Sequence, residues 1–322
     1  METLDRKILE IIQDGFPLEE RPYAALGRRL DVSEEDAFEH VEDLRKSGVI
    51  RRLGGIYDSR RLGYISRLCA GVVPEGNLDG FAAAADKIPS ITHNYIRSHA
   101  YNVWFTVIAR SEAEIQETVR GLEAETALHD AHVLSASRMF KINTVMGKAV
   151  ASAKVVDQVA DKSVSDKPAS KSAEPFVPNA KDRRRINSLS KDIPHTKTPF
   201  SDLGIDVAEI RGDLDLKIMR RFGAVLRHQQ AGFDANAMVC FAVKDADSAG
   251  KALAENPHVS HCYERAPFEG FPYNVYAMFH ATGAAELQTA IDGSVALLGN
   301  PDHVVLTSLK ELKKTSFVYF DA

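Results

Sequence analysis

One repeated alternation constrains this chain more than any other feature. His93-Asn94-Tyr95-Ile96-Arg97 returns as His261-Cys262-Tyr263-Glu264-Arg265, and Tyr101-Asn102-Val103-Trp104 returns as Tyr273-Asn274-Val275-Tyr276. Alternate residues of an extended strand share one face. The spacing therefore predicts two strands, each presenting an imidazole, a phenol and a guanidinium on one side. The chain reads as a duplication, so its fold must accommodate two copies of one plan.

A length of 322 residues leaves room for both copies. In the first, Leu4, Ile8, Leu9, Ile11 and Ile12 have helical spacing, and Gly15-Phe16-Pro17 ends that helix. Pro22 opens a second helix, through Leu30. Ser33-Glu34-Glu35-Asp36 reads as a capping signal for a third, running to about Ser47. With a strand and turn over Val49–Tyr57 this is a winged helix-turn-helix, residues 1–62. Next come a strand at 66–73, a helix at 78–88, strands at 91–97 and 102–109, a helix at 111–126 and a strand at 132–142. That βαββαβ order is ferredoxin-like, residues 63–147, with one sheet face covered by helices and one left for a ligand or partner. Residues 148–180 are rich in Lys, Ser, Ala, Asp and Pro and are expected to form a disordered linker. A degenerate winged helix-turn-helix (181–230) and a second ferredoxin-like domain (231–322) follow. Leu203 to Arg221 is shorter than Leu26 to Arg52, so the third helix of that copy is expected to be cut down. The tail from Thr315 to Phe320 is expected to add a strand. The fold class is α+β, two tandem copies of one architecture.

A net charge of −5 argues against a general polyanion binder. Cys69, Cys240 and Cys262 have neither metal-type spacing nor a disulfide framework. No apolar run reaches membrane-spanning length, and the chain opens on an acidic helix rather than a signal peptide. A cytoplasmic location is expected. A winged helix followed by βαββαβ resembles the Lrp/AsnC regulators, which would suggest DNA binding. The residues oppose it: a recognition helix needs cations or amides facing phosphates and bases. Here Glu34, Glu35, Asp36, Glu39, Glu42 and Asp43 stand against Arg45 and Lys46.

Histidines cluster in the second copy at His228, His258, His261, His280 and His303, with His93 and His99 in the first. Arginines flank them: Arg220, Arg221, Arg227 and Arg265, then Arg51, Arg52, Arg60, Arg61, Arg67 and Arg97. Such a set suits a ligand with several carboxylates, because guanidinium pairs with each at two points. Tyr101, Trp104, Phe233, Tyr273 and Tyr276 offer flat walls for a macrocycle, although Trp104 and Tyr276 serve a core equally well. His129, His132, His258 and His303 read as ordinary strand-end residues. His228 follows Arg227 in a turn whose first-half counterpart, Asp58-Ser59, has neither group.

The second half, with Arg220-Arg221-Phe222-Gly223-Ala224-Val225-Leu226-Arg227-His228, Ser260–Arg265 and Pro272-Tyr273-Asn274, resembles the B-type subunit of the siroheme decarboxylases. The first half, with Arg21-Pro22-Tyr23, Ile50-Arg51-Arg52 and His93–Phe105, resembles the A-type subunit. The resemblance implies a fused carboxy-lyase that converts siroheme to didecarboxysiroheme. It would remove the carboxyl groups of the ring C and D acetates, in haem or nitrite-reductase haem biosynthesis. It implies no cofactor beyond the iron tetrapyrrole substrate and no metal site made by the protein alone. Within it, His228 and His261 are the proton-donor candidates, and Arg227 and Arg265 grip carboxylates. Tyr263 and Tyr273 orient a propionate or relay a proton. Asn274 and His280 line the pocket, and His280 is a candidate for axial contact to the substrate iron. Arg97, His99, Tyr101 and Trp104 form a lesser site or reach into the main one. The A-like and B-like halves are expected to pair through their ferredoxin-like sheets, within one chain or between chains. A ligand-responsive regulator and a non-catalytic haem sensor are the alternatives.

Overall fold

The computed structural model describes residues 3–142, 176–226 and 235–320. The first half contains α1 (Thr3–Asp14), α2 (Pro22–Leu30), α3 (Glu34–Lys46), β1 (Ile50–Tyr57), β2 (Ile65–Val72), α4 (Leu78–Lys87), β3 (Ile91–Arg97), β4 (Val103–Ala109), α5 (Glu112–Glu125), β5 (His129–Leu134) and β6 (Ala136–Ile142). The second contains α6 (Ala180–Leu189), α7 (Pro199–Asp202), α8 (Val207–Asp215), β7 (Met219–Leu226), β8 (Ala235–Phe241), α9 (Ala246–Glu255), β9 (Val259–Arg265), β10 (Val275–Ala281), α10 (Ala284–Leu297) and β11 (His303–Lys314). They divide into two units by kind rather than by chain order. One unit gathers both helix-turn-helix copies and the C-terminal tail, the other both ferredoxin-like copies. The region expected to be a linker lies outside the described residues up to 175, and Asn179 caps α6 at its end.

In the helical unit β1 and β7 pair antiparallel, with Gly54 opposite Gly223 and Leu53 opposite Ala224. These glycines admit backbone from the other copy. A Cβ on Gly54 would lie 2.4 Å from the Lys191 carbonyl oxygen, and one on Gly223 2.4 Å from that of Ile12. The neighbouring arginines use the same approach. Arg52 donates to the Ser190 carbonyl at 2.8 Å, just past α6, and Arg221 donates to that of Gln13, at the end of α1. Each guanidinium thus satisfies a helix C-terminus, where carbonyls lack intrahelical partners and the dipole favours a cation. Arg52 and Arg221 are therefore structural and not part of a carboxylate grip. At the start of α3, Ser33 Oγ accepts from the Asp36 amide at 3.0 Å and Asp36 accepts from the Ser33 amide at 3.3 Å, a complete capping box. The cations at its far end are already engaged, Arg45 with Asp192 and Lys46 with Glu42.

The third helix of the second copy is cut down as expected, and the second helix is shortened with it. α7 keeps four residues where α2 has nine, and α8 keeps nine where α3 has thirteen. The tail adds no strand. Tyr319 instead packs edge-on against Tyr57 at 6.1 Å, and the Phe320 carbonyl accepts from Asn187 at 2.8 Å.

His195 stacks on Phe38 at 4.1 Å, its Nδ1 lies 3.1 Å from the Tyr23 hydroxyl, and its buried Nε2 has no hydrogen-bond partner among the described residues. Desolvation first, then Arg45, lowers its pKa. The unfolded chain therefore takes the proton first as pH falls, and stability drops through the free imidazole range near ~6.5. His195→Phe is expected to flatten that part of the pH dependence. Urea midpoints at about pH 8 and about pH 5.5 check it, and an unchanged slope would remove His195 as the cause.

In the sheet unit the hydrogen-bonded strand order is β5-β2-β4-β3-β11-β8-β10-β9-β6. Each half contributes a βαββαβ sheet, and each half's last strand runs on into the other. β11 pairs with β8 of its own half through Thr307, then with β3 of the first half from Ser308. Likewise β5 pairs with β2, and β6 continues against β9 of the second half. The sequence predicts one strand over 132–142. The structure has two, broken at Ser135 where the chain changes partner. Counting β5 and β6 as one bent strand, the row closes on itself.

The helices cover the outer faces over two apolar clusters, one around Phe81, Phe105 and Ile115, the other around Phe241, Phe279 and Ile291. A third cluster joins the inner faces of both halves, with Ala70, Trp104 and Leu134 against Cys240, Phe271, Tyr276 and Leu306. The exchanged strands also cap helices across the halves. Lys313 Nζ donates to the Ala85, Asp86 and Ile88 carbonyls at the end of α4, and Lys141 Nζ donates to that of Asn256 at the end of α9.

Candidate functional site

The inner face of the second half carries the polar row. β9 pairs with β10 so that His261 lies opposite Met278 and Tyr263 opposite Tyr276. Opposite residues of paired strands share a face, so these four side chains stand together, with His280 further along the same side of β10. The His261 and Tyr263 rings stack at 6.4 Å. The Arg265 guanidinium carbon sits 5.2 Å from the centre of the Tyr263 ring and 5.7 Å from that of Tyr276. His261 Nδ1 lies 2.8 Å from Ser260 Oγ, and that hydroxyl is also 3.3 Å from the Met278 carbonyl. When Ser260 donates to the carbonyl, its oxygen accepts Nδ1–H.

Arg265 is 9% exposed and has no carboxylate partner among the described residues. One Nη donates to the Leu134 carbonyl. Desolvation lowers its pKa, against the smaller opposing pull of Tyr263 and Tyr276. The Tyr276 hydroxyl beside it is buried with no hydrogen-bond partner among the described residues, and burial drives its pKa far up. A buried cation and a buried hydroxyl with capacity left over are costly unless an anionic or polar ligand completes them.

Three expected site residues turn out to hold the fold. Asn274 donates to the Val243 carbonyl at 2.9 Å and accepts from the Val243 amide at 2.9 Å, which uses its amide on backbone. Asn102 clasps Val73 in the same way. Trp104 is 1% exposed, and its Nε1 donates to the Tyr101 carbonyl at 2.7 Å, so the ring is core. Arg97 is buried and donates to the Leu306 carbonyl and Ser308 Oγ, both at 3.0 Å.

His99 and Tyr101 form a separate group with the loop after β9. Tyr101 OH donates to Asp130 at 2.8 Å, and His99 Nδ1 accepts from the Tyr101 amide at 3.1 Å. Desolvation, then Asp130, pushes the Tyr101 phenol up to about 12. Phe271 joins this group to the polar row, lying 6.1 Å from Tyr101, 4.8 Å from Tyr273 and 6.1 Å from Tyr276. Arg227, His228 and Phe233 lie outside the described residues. Among the described residues no group of three or more His, Cys, Asp or Glu is placed to hold a metal ion.

Sequence reasoning missed Ser260 and Met278, which the register brings beside His261. It also missed Met139 and Ile142 of β6, which lie opposite Tyr263 and His261. Ser260 is the chain neighbour of His261, and Met278 needed the pairing of β9 with β10. Met139 and Ile142 needed the strand exchange.

The AsnC-like ligand binding domain model matches residues 61–141 and 230–313, and the siroheme decarboxylase NirDL-like HTH domain model matches residues 5–51. The chain is 32% identical to a siroheme decarboxylase of Hydrogenobacter thermophilus over 98% of its own length and 94% of that protein's. Over 142 residues, 44% of this chain and 82% of that subunit, it is 44% identical to the siroheme decarboxylase alpha subunit of Desulfovibrio desulfuricans. The crystal structure of siroheme decarboxylase NirDL in co-complex with an iron-uroporphyrin III analogue superposes with a TM-score of 0.71 at 26% identity, covering 99% of this chain and 95% of that one.

Proposed function

Because this chain belongs to the siroheme decarboxylase family, we propose that it acts as a carboxy-lyase on siroheme, removing the ring C and D acetate carboxyl groups without a cofactor beyond that substrate. The observation that carries this reading is Arg265, a buried cation with no acid partner among the described residues, stacked on Tyr263 beside His261. A polycarboxylate macrocycle supplies the missing charge, and the tyrosine rings offer it flat walls.

The chemistry balances without an oxidant. The bond between the acetate methylene and its carboxylate breaks, carbon dioxide leaves, and the electron pair is drawn into the conjugated macrocycle. The methylene carbon then takes a proton and becomes a methyl group. Arg265 holds substrate carboxylates, Tyr263 and Tyr273 orient them, and His261 delivers the proton as imidazolium from Nε2. Imidazole suits this task because it titrates near neutral pH. Arg227 and His228 are assigned to the same site by resemblance, and His280 lines it from β10. Arg97, His99 and Tyr101 belong to supporting structure. Pairing of the A-like and B-like halves within one chain lets a single polypeptide hold a complete site. No described helix is long and apolar enough to cross a membrane, and we place the reaction in the cytoplasm.

Anaerobic incubation of the full chain with siroheme, followed by mass spectrometry, tests the proposal. The expected product lacks two carboxyl groups. Recovery of unchanged siroheme would overturn the enzyme reading, and saturable binding without turnover would point to a sensor.

A further inference from the structure

The duplication leaves two His-x-Tyr-x-Arg rows, and they are alike in more than sequence. β3 and β9 have the same alternation of buried and half-buried residues. The row histidines are held alike, His93 Nδ1 lying 3.0 Å from Thr92 Oγ1 as His261 Nδ1 lies 2.8 Å from Ser260 Oγ. Arg97 covers Tyr95 at 5.2 Å as Arg265 covers Tyr263. Nothing within β3 therefore explains why one row would take a ligand and the other not.

The difference lies on the exchanged strands. β11 runs along β3 with Ser308 opposite Arg97, Glu311 opposite Tyr95 and Lys314 opposite His93. β6 runs along β9 with Ala136 opposite Arg265, Met139 opposite Tyr263 and Ile142 opposite His261. Both pairings shift register at the corresponding places, so the three positions correspond one to one. On the first row Glu311 accepts from the Tyr95 hydroxyl at 3.2 Å, Lys314 lies 3.8 Å from Glu311, and Ser308 accepts from Arg97 at 3.0 Å. On the second row the corresponding residues are Ala, Met and Ile, which carry neither charge nor hydroxyl.

From this contrast we infer that β6 and β11 decide which row binds the tetrapyrrole: Met139 and Ile142 open the second row, and Glu311, Lys314 and Ser308 close the first. The inference rests on the function proposed above. Glu311 places a carboxylate on the phenol where a substrate carboxylate would sit, and like charges oppose each other at that distance. The Ser308 hydroxyl takes up donor capacity of Arg97 that Ala136 leaves to Arg265. Met139 and Ile142 supply adaptable apolar surface for a flat macrocycle. One chain then carries one ligand although it contains two rows. Met139 and Ile142 are positioning and specificity residues, and neither is assigned to proton transfer.

Titration of the full chain with iron uroporphyrin III, read by absorbance under anaerobic conditions, tests this. Wild type is expected to bind one equivalent. The double variant Glu311→Met, Lys314→Ile is expected to bind a second, and the gentler Glu311→Gln a weaker second. Met139→Glu is expected to weaken the single site by at least about tenfold, as a repulsive charge at a binding surface does. Circular dichroism and melting of each variant establish that it is folded. Two equivalents on wild type would overturn the inference. So would one equivalent on both folded Glu311 variants, or full affinity in Met139→Glu. Binding of none by wild type would overturn the proposed function and this inference with it.

Discussion

His261→Ala is expected to lower the rate of carbon dioxide release by on the order of 10²–10⁴-fold while leaving the chain folded and the tetrapyrrole bound. The imidazole is half-buried on the inner face, its ring stacks on Tyr263, and the Ser260 hydroxyl steadies Nδ1. In the mechanism proposed above, removing it leaves the macrocycle and the Arg265 contact in place and takes away the proton source for the new methyl group. Single-turnover mass spectrometry on preloaded enzyme separates this loss from a loss of affinity. A variant with unaltered single-turnover rate would shift the donor role away from His261, with His228 next in line.

Arg185→Met is expected to destabilise the helical unit by about 3–5 kcal/mol, because it strands a buried carboxylate. Asp213 is 1% exposed, and Arg185 reaches it through Nη2 at 2.7 Å and Nε at 3.1 Å. The Tyr57 hydroxyl donates to the same carboxylate at 2.9 Å. Burial opposes the charge on Arg185, but Asp213 and Asp182 outweigh it and raise its pKa. With the guanidinium gone, Asp213 keeps the tyrosine alone. The urea midpoint of the full chain measures the cost. Adding Asp213→Leu is expected to recover much of it, since an apolar replacement of both partners avoids the unpaired charge. A single variant as stable as wild type would show that water reaches Asp213 freely.

Local periodicity was enough to read most of the fold. The alternation in β9 put His261, Tyr263 and Arg265 on one face, and the structure pairs that face with Tyr276 and Met278. Ser33 and Asp36 announced the capping box, which forms. What periodicity does not encode is the partner of a strand edge. The run after Leu128 has strand character throughout, and nothing in it says that the chain leaves β2 at Ser135 to join β9. Hence Met139 and Glu311, which face the two rows, were invisible as site residues. Asn274 and Trp104 misled for a related reason. An amide or an indole beside a polar strand has ligand chemistry, and only the geometry shows Val243 and the Tyr101 carbonyl using it first. Arg52 and Arg221 read from sequence only as members of a flanking basic set, and it takes the geometry to show each one serving a helix end.

The exchange of last strands also bears on synthesis. β6 finds its partner β9 only after more than a hundred further residues have been made. At ribosomal rates of ~5–20 residues per second that is a wait on the order of ten seconds. Through that interval the nascent first half presents two unpaired edges, β3 and β6, each a template for a stray strand. β6 carries Arg138 and Lys141, charges that discourage such pairing. The residues that later dock on the second half thus also guard the first half while it stands alone.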